Sequence, residues 1–250
     1  MNIFCRNIIN PTCLLIIFFL SKIITLHADS LTFKKANEFF DSGKYSKAIK
    51  AYNDSSTNGI SVNLLFNLGN SHFKAGEIGK AMSYYQRALK LSPRNPDIMT
   101  NLRFAHKKAQ TEPIPITFRQ KLSGKLSLQE WTVITSISGS LFLMLIGIFQ
   151  ISSSYIKSTI WIKFFGVITC ILLIFSSMSA IDYFGDKRLF ATQDGAVVHT
   201  GPVEQSPELF KVTDGMELIE LERSGEFIKV QSSIGSTGWI HTNSVAFTLP

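Results

Sequence analysis

Asn63–Pro93 reads NLLFNLGNSHFKAGEIGKAMSYYQRALKLSP. Leu65 and Leu68 recur at helical spacing before Gly76, and Ala81, Tyr85 and Ala88 after it. That pattern predicts two helices joined by a glycine turn. Gly69 and Ala81 are small, as two helices require where they approach closely. Tyr85 is large enough to fill the space between successive helix pairs. Pro93 stops the second helix because it has no N–H to donate. The same pattern lies 33 residues earlier in Ala36–Tyr52, ANEFFDSGKYSKAIKAY, where Ala36, Gly43, Tyr45, Ala48 and Tyr52 take corresponding places. After Pro93, Pro96–Ala109 (PDIMTNLRFAHKKA) reads as a third first-helix whose polar far side suits the end of a stack.

The period and spacing resemble the tetratricopeptide repeat (TPR), a helix–turn–helix unit of about 34 residues. The resemblance implies a concave groove lined by first-helix residues that holds an extended peptide or a partner helix. Here the groove residues are Asn37, Asn67, Asn70 and Asn101, with Phe33, Phe40, Phe66 and Phe73 beside them. An Asn amide suits such a groove because it can pair with both N–H and C=O of a peptide backbone. Asn37 and Asn67 fall where carboxylate-clamping repeats carry Asn. The basic residues of that clamp are replaced by Phe33, Asp97 and Asn101, so a carboxylate-specific clamp is not expected. Helix capping and core packing are the alternative duties of these Asn and Phe side chains.

Outward from the repeats the chain turns apolar. Residues 1–28 have the order of a signal peptide: Arg6, then an apolar run from Leu14 to Leu26, then Ala28. Leu26 at the third place before the cleavage site leaves an uncleaved signal anchor as the alternative. Beyond the repeat unit (29–112) and a basic, Pro-bounded linker (113–127), Trp131–Ile151 runs 21 residues without a charge and Phe164–Ile181 runs 18. These predict spans over 128–152 and 160–184, joined by a short polar loop into a hairpin. A hairpin puts the soluble parts before and after it on one side of the membrane. The export segment argues that this side is extracytoplasmic. The cations flanking the spans (Arg119, Lys121, Lys125, Lys187 and Arg188) argue the reverse under the positive-inside rule. The first segment is given more weight, which predicts an inner-membrane protein with periplasmic domains. Neither span carries a polar stripe or an acid at its centre, so no transport path is expected.

From Ala191 short alternating segments replace the helices. Ala196–His199, Phe210–Val212, Met216–Leu221, Phe227–Gln231 and Thr237–His241 read as five strands, with turns at Thr213-Asp214-Gly215, Arg223-Ser224-Gly225 and Ile234-Gly235-Ser236. Residues 190–250 resemble a bacterial SH3 domain, above all in Gly235-Ser236-Thr237-Gly238-Trp239-Ile240. The resemblance implies a small barrel with an aromatic groove for peptides or cell-wall stems. Phe210, Phe227 and Trp239 are its groove residues, with barrel closure the other duty of Trp239. The fold class expected is therefore multidomain: an all-α TPR repeat unit, a two-helix transmembrane hairpin and an all-β SH3-like barrel.

Composition narrows the function classes. The 250 residues carry a formal charge of +7 and 20 Phe. The repeat unit is basic and the C-terminal part mildly acidic, which predicts a salt-sensitive attraction between the two. No nucleic-acid-binding motif accompanies the charge, so nucleic acid is not an expected partner. Cys5 and Cys13 fall in the export segment and Cys170 in a span, leaving no disulfide or thiolate metal site in the soluble parts. No phosphate loop, nucleophile elbow or metal-binding spacing is present, the five histidines are dispersed, and His72 reads as a packing residue. Glu217, Glu220, Glu222 and Glu226 cluster by a hairpin, which should display them to water. A non-enzymatic protein without cofactor or metal is the expectation.

The order of signal, TPR unit, two-helix hairpin and SH3-like domain, with NLGNSHFKAG and NPDIMTNL in the repeats, resembles the BatE-type proteins of bacterial aerotolerance operons. That resemblance implies a scaffold in an envelope-stress complex, with membrane-anchored von Willebrand A-domain proteins as partners. A cell-wall-binding adaptor that recruits peptidoglycan enzymes is the alternative.

Overall fold

Ser61 and Gly76 set the limits of the central helix. In the computed structural model, which describes residues 32–56, 59–151 and 160–248, the Ser61 side chain accepts from Leu64 N–H, and Gly76 closes the helix at φ +86°. The export segment and the loop joining the spans fall outside the described residues.

Met1–Ile60 and Ser61–Pro250 are separate compact units. The first contains α1 (32–41) and α2 (Tyr45–Ser55), joined through Gly43 at φ +72°. Ala36, Ala48 and Tyr52 are buried, and the Tyr52 ring meets Phe33 edge-on at 5.5 Å.

The second unit opens with α3 (Val62–Ala75), α4 (Ile78–Leu91) and α5 (Pro96–Ala109). Gly69 is small for a specific reason: a Cβ there would lie 2.5 Å from the Tyr85 ring. Asn95 starts α5 by accepting from Asp97 and Ile98 N–H, with Pro96 in the first turn. The core joins Leu65, Ala81, Met82, Tyr85, Ile98 and Ala105. A linker containing α6 (Phe118–Ser123), capped reciprocally by Thr117 and Gln120, leads to α7 (Leu128–Ile151) and α8 (Ile160–Gly185).

These last two helices are long and apolar enough to cross a membrane. Trp131 stacks on Phe175 at 5.2 Å, Ser138 bonds Thr169 at 2.9 Å, and Phe142 covers Gly166. The partners run in opposite order along the two helices, so the pair is antiparallel. Most other side chains of the pair face outward, including Leu143, Met144, Leu173 and Ile174, so neither helix is the buried core of a soluble domain.

An antiparallel sheet follows: β1 (Arg188–Ala191), β2 (Ala196–His199), β3 (Glu208–Val212), β4 (Glu217–Ser224), β5 (Phe227–Ser232), β6 (Thr237–His241) and β7 (Val245–Phe247). It has seven strands in the order β3-β2-β6-β5-β4-β1-β7, rather than the five expected. The expected barrel is not closed, because β3 and β7 remain edges. The physical reason is visible at β7, where α4 lies against the sheet and Ser83 Oγ donates to the Phe247 carbonyl at 2.6 Å. A helix thus covers an edge that closure would otherwise have to remove.

Alternation in β1 ties the two halves together. Leu189 and Ala191 point into the sheet core with Val198, Leu218, Ile228 and Ile240. Phe190, on the opposite face, enters the helical core. The fold therefore has a helical core and a sheet core, joined through β1, which contributes to both, with the two long apolar helices attached at the side.

Candidate interaction site

The helical repeat unit presents two sides. Strand β1 covers α4 and α5, where a longer array would stack its next helix pair. The opposite side is formed by α3 and α5, and three of the four predicted groove asparagines lie there. Asn70 Oδ1 accepts from Tyr85 Oη and from Asn101 Nδ2, both at 2.8 Å. Within the first unit Asn37 Oδ1 accepts from Tyr52 Oη at 2.5 Å. Both Asn–Tyr pairs are separated by 15 residues, so each repeat carries the same bond between its two helices. The repeat match therefore sets Asn37 against Asn70. These amides hold the helices together within each unit. Among the described residues the Asn70 amide nitrogen and the Asn101 amide oxygen have no further partner. A fixed donor and a fixed acceptor suit the C=O and N–H of an extended peptide. Asn67 is half-buried one turn before Asn70, and its carbonyl accepts from Ser71 Oγ.

Two contributors to this side were missed in the sequence. Phe104 is 59% exposed, one turn beyond Asn101. Lys108, one turn further, sits over the Phe73 ring at 5.0 Å. With Lys74, Arg103 and Lys107 nearby in sequence, these helices present a basic face carrying one exposed aromatic ring. The signal was available as the spacing of residues 101, 104 and 108 along one helix. Phe66 and Phe73 instead pack partly against the core.

The three predicted SH3 groove aromatics divide between two faces. Phe210 pairs with Val198 and packs on the sheet core. Trp239 pairs with His199 and Lys229 on the outer face, and Lys229 Nζ lies 6.0 Å from its ring centroid. Phe227 meets His199 at 6.4 Å and His241 at 5.4 Å, both edge-on. The outer cluster is thus Trp239, Phe227, His199 and His241, which brings together two histidines that looked unrelated in the sequence.

The junction between helices and sheet is specific rather than a loose meeting of opposite charges. Asp214, in the turn before β4, accepts from Ile78 and Gly79 N–H at 2.8 Å each, at the start of α4. Glu77 supplies no side-chain cap of its own there. Gly79 lies against the Ala191 carbonyl so closely that a Cβ would come within 1.8 Å of the oxygen. Thr111 Oγ1 donates to the Gly215 carbonyl at 3.3 Å.

Glu217 is buried, contrary to the expectation that its cluster faces water: it is 3% exposed and accepts from Ile114 N–H at 2.7 Å. The linker folding over the start of β4 encloses it. Burial pushes its carboxyl above the ordinary range, partly offset by Ile114 and by Arg188 at 3.7 Å. Burial alone would also raise Asp186, but its pairs with Arg188 at 2.8 Å and Lys90 at 3.0 Å hold it below the ordinary range. Glu220 pairs with Arg223, while Glu222 and Glu226 are exposed as expected.

Residues 62–95 match the tetratricopeptide repeat, and residues 194–246 match the bacterial SH3 domain. Modules of these kinds make protein–protein contacts or bind cell-wall material. No curated protein is significantly similar to the chain.

Proposed function

We propose that this protein is a non-enzymatic, membrane-anchored scaffold whose α3/α5 side grips an extended segment of a partner protein. The observation that carries this is the Asn70–Asn101 pair, in which internal bonds hold one donor and one acceptor in place beside the exposed Phe104. The hairpin anchors the unit, with the repeats and the sheet domain on the extracytoplasmic face of the bacterial inner membrane. By the BatE-type resemblance, the partners are membrane-anchored von Willebrand A-domain proteins in an aerotolerance or envelope-stress complex. The test is crosslinking in the native membrane followed by identification of what is captured. Von Willebrand A-domain proteins captured by the wild type and lost in Asn67→Ala/Phe104→Asp support the reading. Their capture unchanged in that variant refutes the grip.

The outer cluster of Trp239, Phe227, His199 and His241 favours a second reading, an adaptor that holds peptidoglycan through its SH3-like face. Binding of the detergent-purified full chain to isolated sacculi, lost in Trp239→Ala, supports it. Equal binding by the variant refutes it.

A further inference from the structure

We propose that a cleft at the membrane end of the repeat unit binds the headgroup of an anionic phospholipid drawn from the surrounding bilayer. The proposal rests on the reading of α7 and α8 as membrane spans.

The cleft holds about 300 Å³ and opens where the end of α4, the linker with α6, the start of α7 and the last turns of α8 meet. Its walls are largely apolar, from Leu89, Met99, Ile116, Leu126 and Tyr183, and Lys121 stands at its edge. That volume suits a headgroup with its glycerol rather than a whole lipid.

Position identifies the occupant. The hairpin contributes Leu128 at the start of one span and Ser179, Asp182 and Tyr183 at the end of the other. Trp131 lies just inside, its indole N–H donated to the Ser123 carbonyl at 2.8 Å. Trp and Tyr at the ends of spans mark the headgroup layer, where ring bodies meet hydrocarbon and polar tips meet water. The cleft therefore opens at headgroup depth. Ile116 and Phe118 on the linker are 55% and 82% exposed, an unfavourable state in water that acyl chains would relieve.

Charge identifies the headgroup. Both acids of the cleft are already held. Asp182 pairs with Arg119 at 2.7 Å and accepts from Ser123 Oγ at 2.5 Å. Asp186 is held by Arg188 and Lys90. Arg94, next to Pro93 of the cleft in sequence, pairs with Glu130. Lys121 and Lys125 have no acidic partner among the described residues. The uncompensated charge is positive and adjoins apolar walls, which suits a phosphodiester whose chains continue into the bilayer.

Native mass spectrometry of the full chain in mild detergent tests this, with added phosphatidylglycerol and phosphatidylcholine as probes. Before extraction, an alkaline carbonate wash reports whether the chain is an integral membrane protein. The expected result is one phosphatidylglycerol retained per chain, at several-fold lower lipid concentration than phosphatidylcholine. Met99→Trp, which fills the cleft from a half-exposed position, should remove the adduct. Lys121→Glu/Lys125→Glu should keep an adduct but abolish the preference. Leu143→Trp, on the outer face of α7, should change neither. Adducts equal for both lipids in the wild type, or undiminished by Met99→Trp, overturn the site. A chain released by the carbonate wash overturns the spanning reading instead, so the two failures are distinguishable.

Discussion

Asp214→Ala removes both side-chain acceptors at the start of α4. In the folded chain the carboxylate takes Ile78 and Gly79 N–H at 2.8 Å each, two donors that have no partner within their own helix. Loss of a side-chain acceptor at a helix N-terminus costs about 0.5–2 kcal/mol. A charged acceptor raises a hydrogen bond to about 1.5–3 kcal/mol. Asp214 is half-buried and water can replace part of what it supplies. A net cost of about 2 kcal/mol is therefore expected, or up to about a 30-fold increase in local opening. Asp214→Asn keeps an acceptor oxygen but loses the charge, and should cost about half as much. Amide exchange on the full chain in detergent, followed by mass spectrometry, reads the effect directly. Peptides covering the first turn of α4 should exchange faster, while those from α7 stay unchanged. First-turn exchange identical to wild type in Asp214→Ala would refute the argument that the sheet domain holds this helix.

Gly79→Ala places a methyl group where the Ala191 carbonyl already sits, so the helix and β1 must separate. A destabilisation of about 1–3 kcal/mol is expected from overpacking, read as a lower thermal midpoint than that of Gly147→Ala, where a Cβ meets open space. His72 and His106 are both held below the ordinary imidazole range, chiefly by burial. For such groups the neutral form is the folded one. Their contribution to stability is complete above about pH 6.5 and is lost as pH falls through their folded values. Thermal midpoints measured down from neutral pH should therefore decline below about pH 6.5, and His106→Asn should flatten the decline; equal slopes in both proteins would show that His106 does not contribute.

The helical half was legible because its rules are local. Gly76, Pro96 and the spacing of Ala81, Tyr85 and Ala88 act within one or two turns, and the bounds of α3, α4 and α5 follow from them. The strands with turn glycines were legible for the same reason. β1 was not, since Arg188-Leu189-Phe190-Ala191 follows the second apolar run so closely that it reads as that run's tail. β7 has only three residues and is defined by its pairing with β1. The burial of Glu217 was hidden because its cover, Ile114, lies 103 residues away. Asp214 looked like an ordinary turn residue, since nothing in Thr213-Asp214-Gly215 reveals that a distant helix begins above it. The asparagines were singled out by type and position, but not the bonds that Asn37 and Asn70 make to Tyr52 and Tyr85. Those bonds depend on how two helices face one another.

Asp214 is separated from the two amides it holds by 136 and 135 residues, and Phe190 fills a core begun by Leu65. On the proposed topology the intervening chain includes both crossings of the bilayer. The second repeat emerges early in synthesis but lacks part of its interior and the start of its last long helix until the chain has left the membrane, re-entered and returned to the same side. A chain in which only one of the two helices inserted would strand the sheet domain across the bilayer and leave α4 uncapped beside an open core. Correct insertion thus becomes a condition of folding, and a misrouted chain exposes itself as a substrate for envelope proteases.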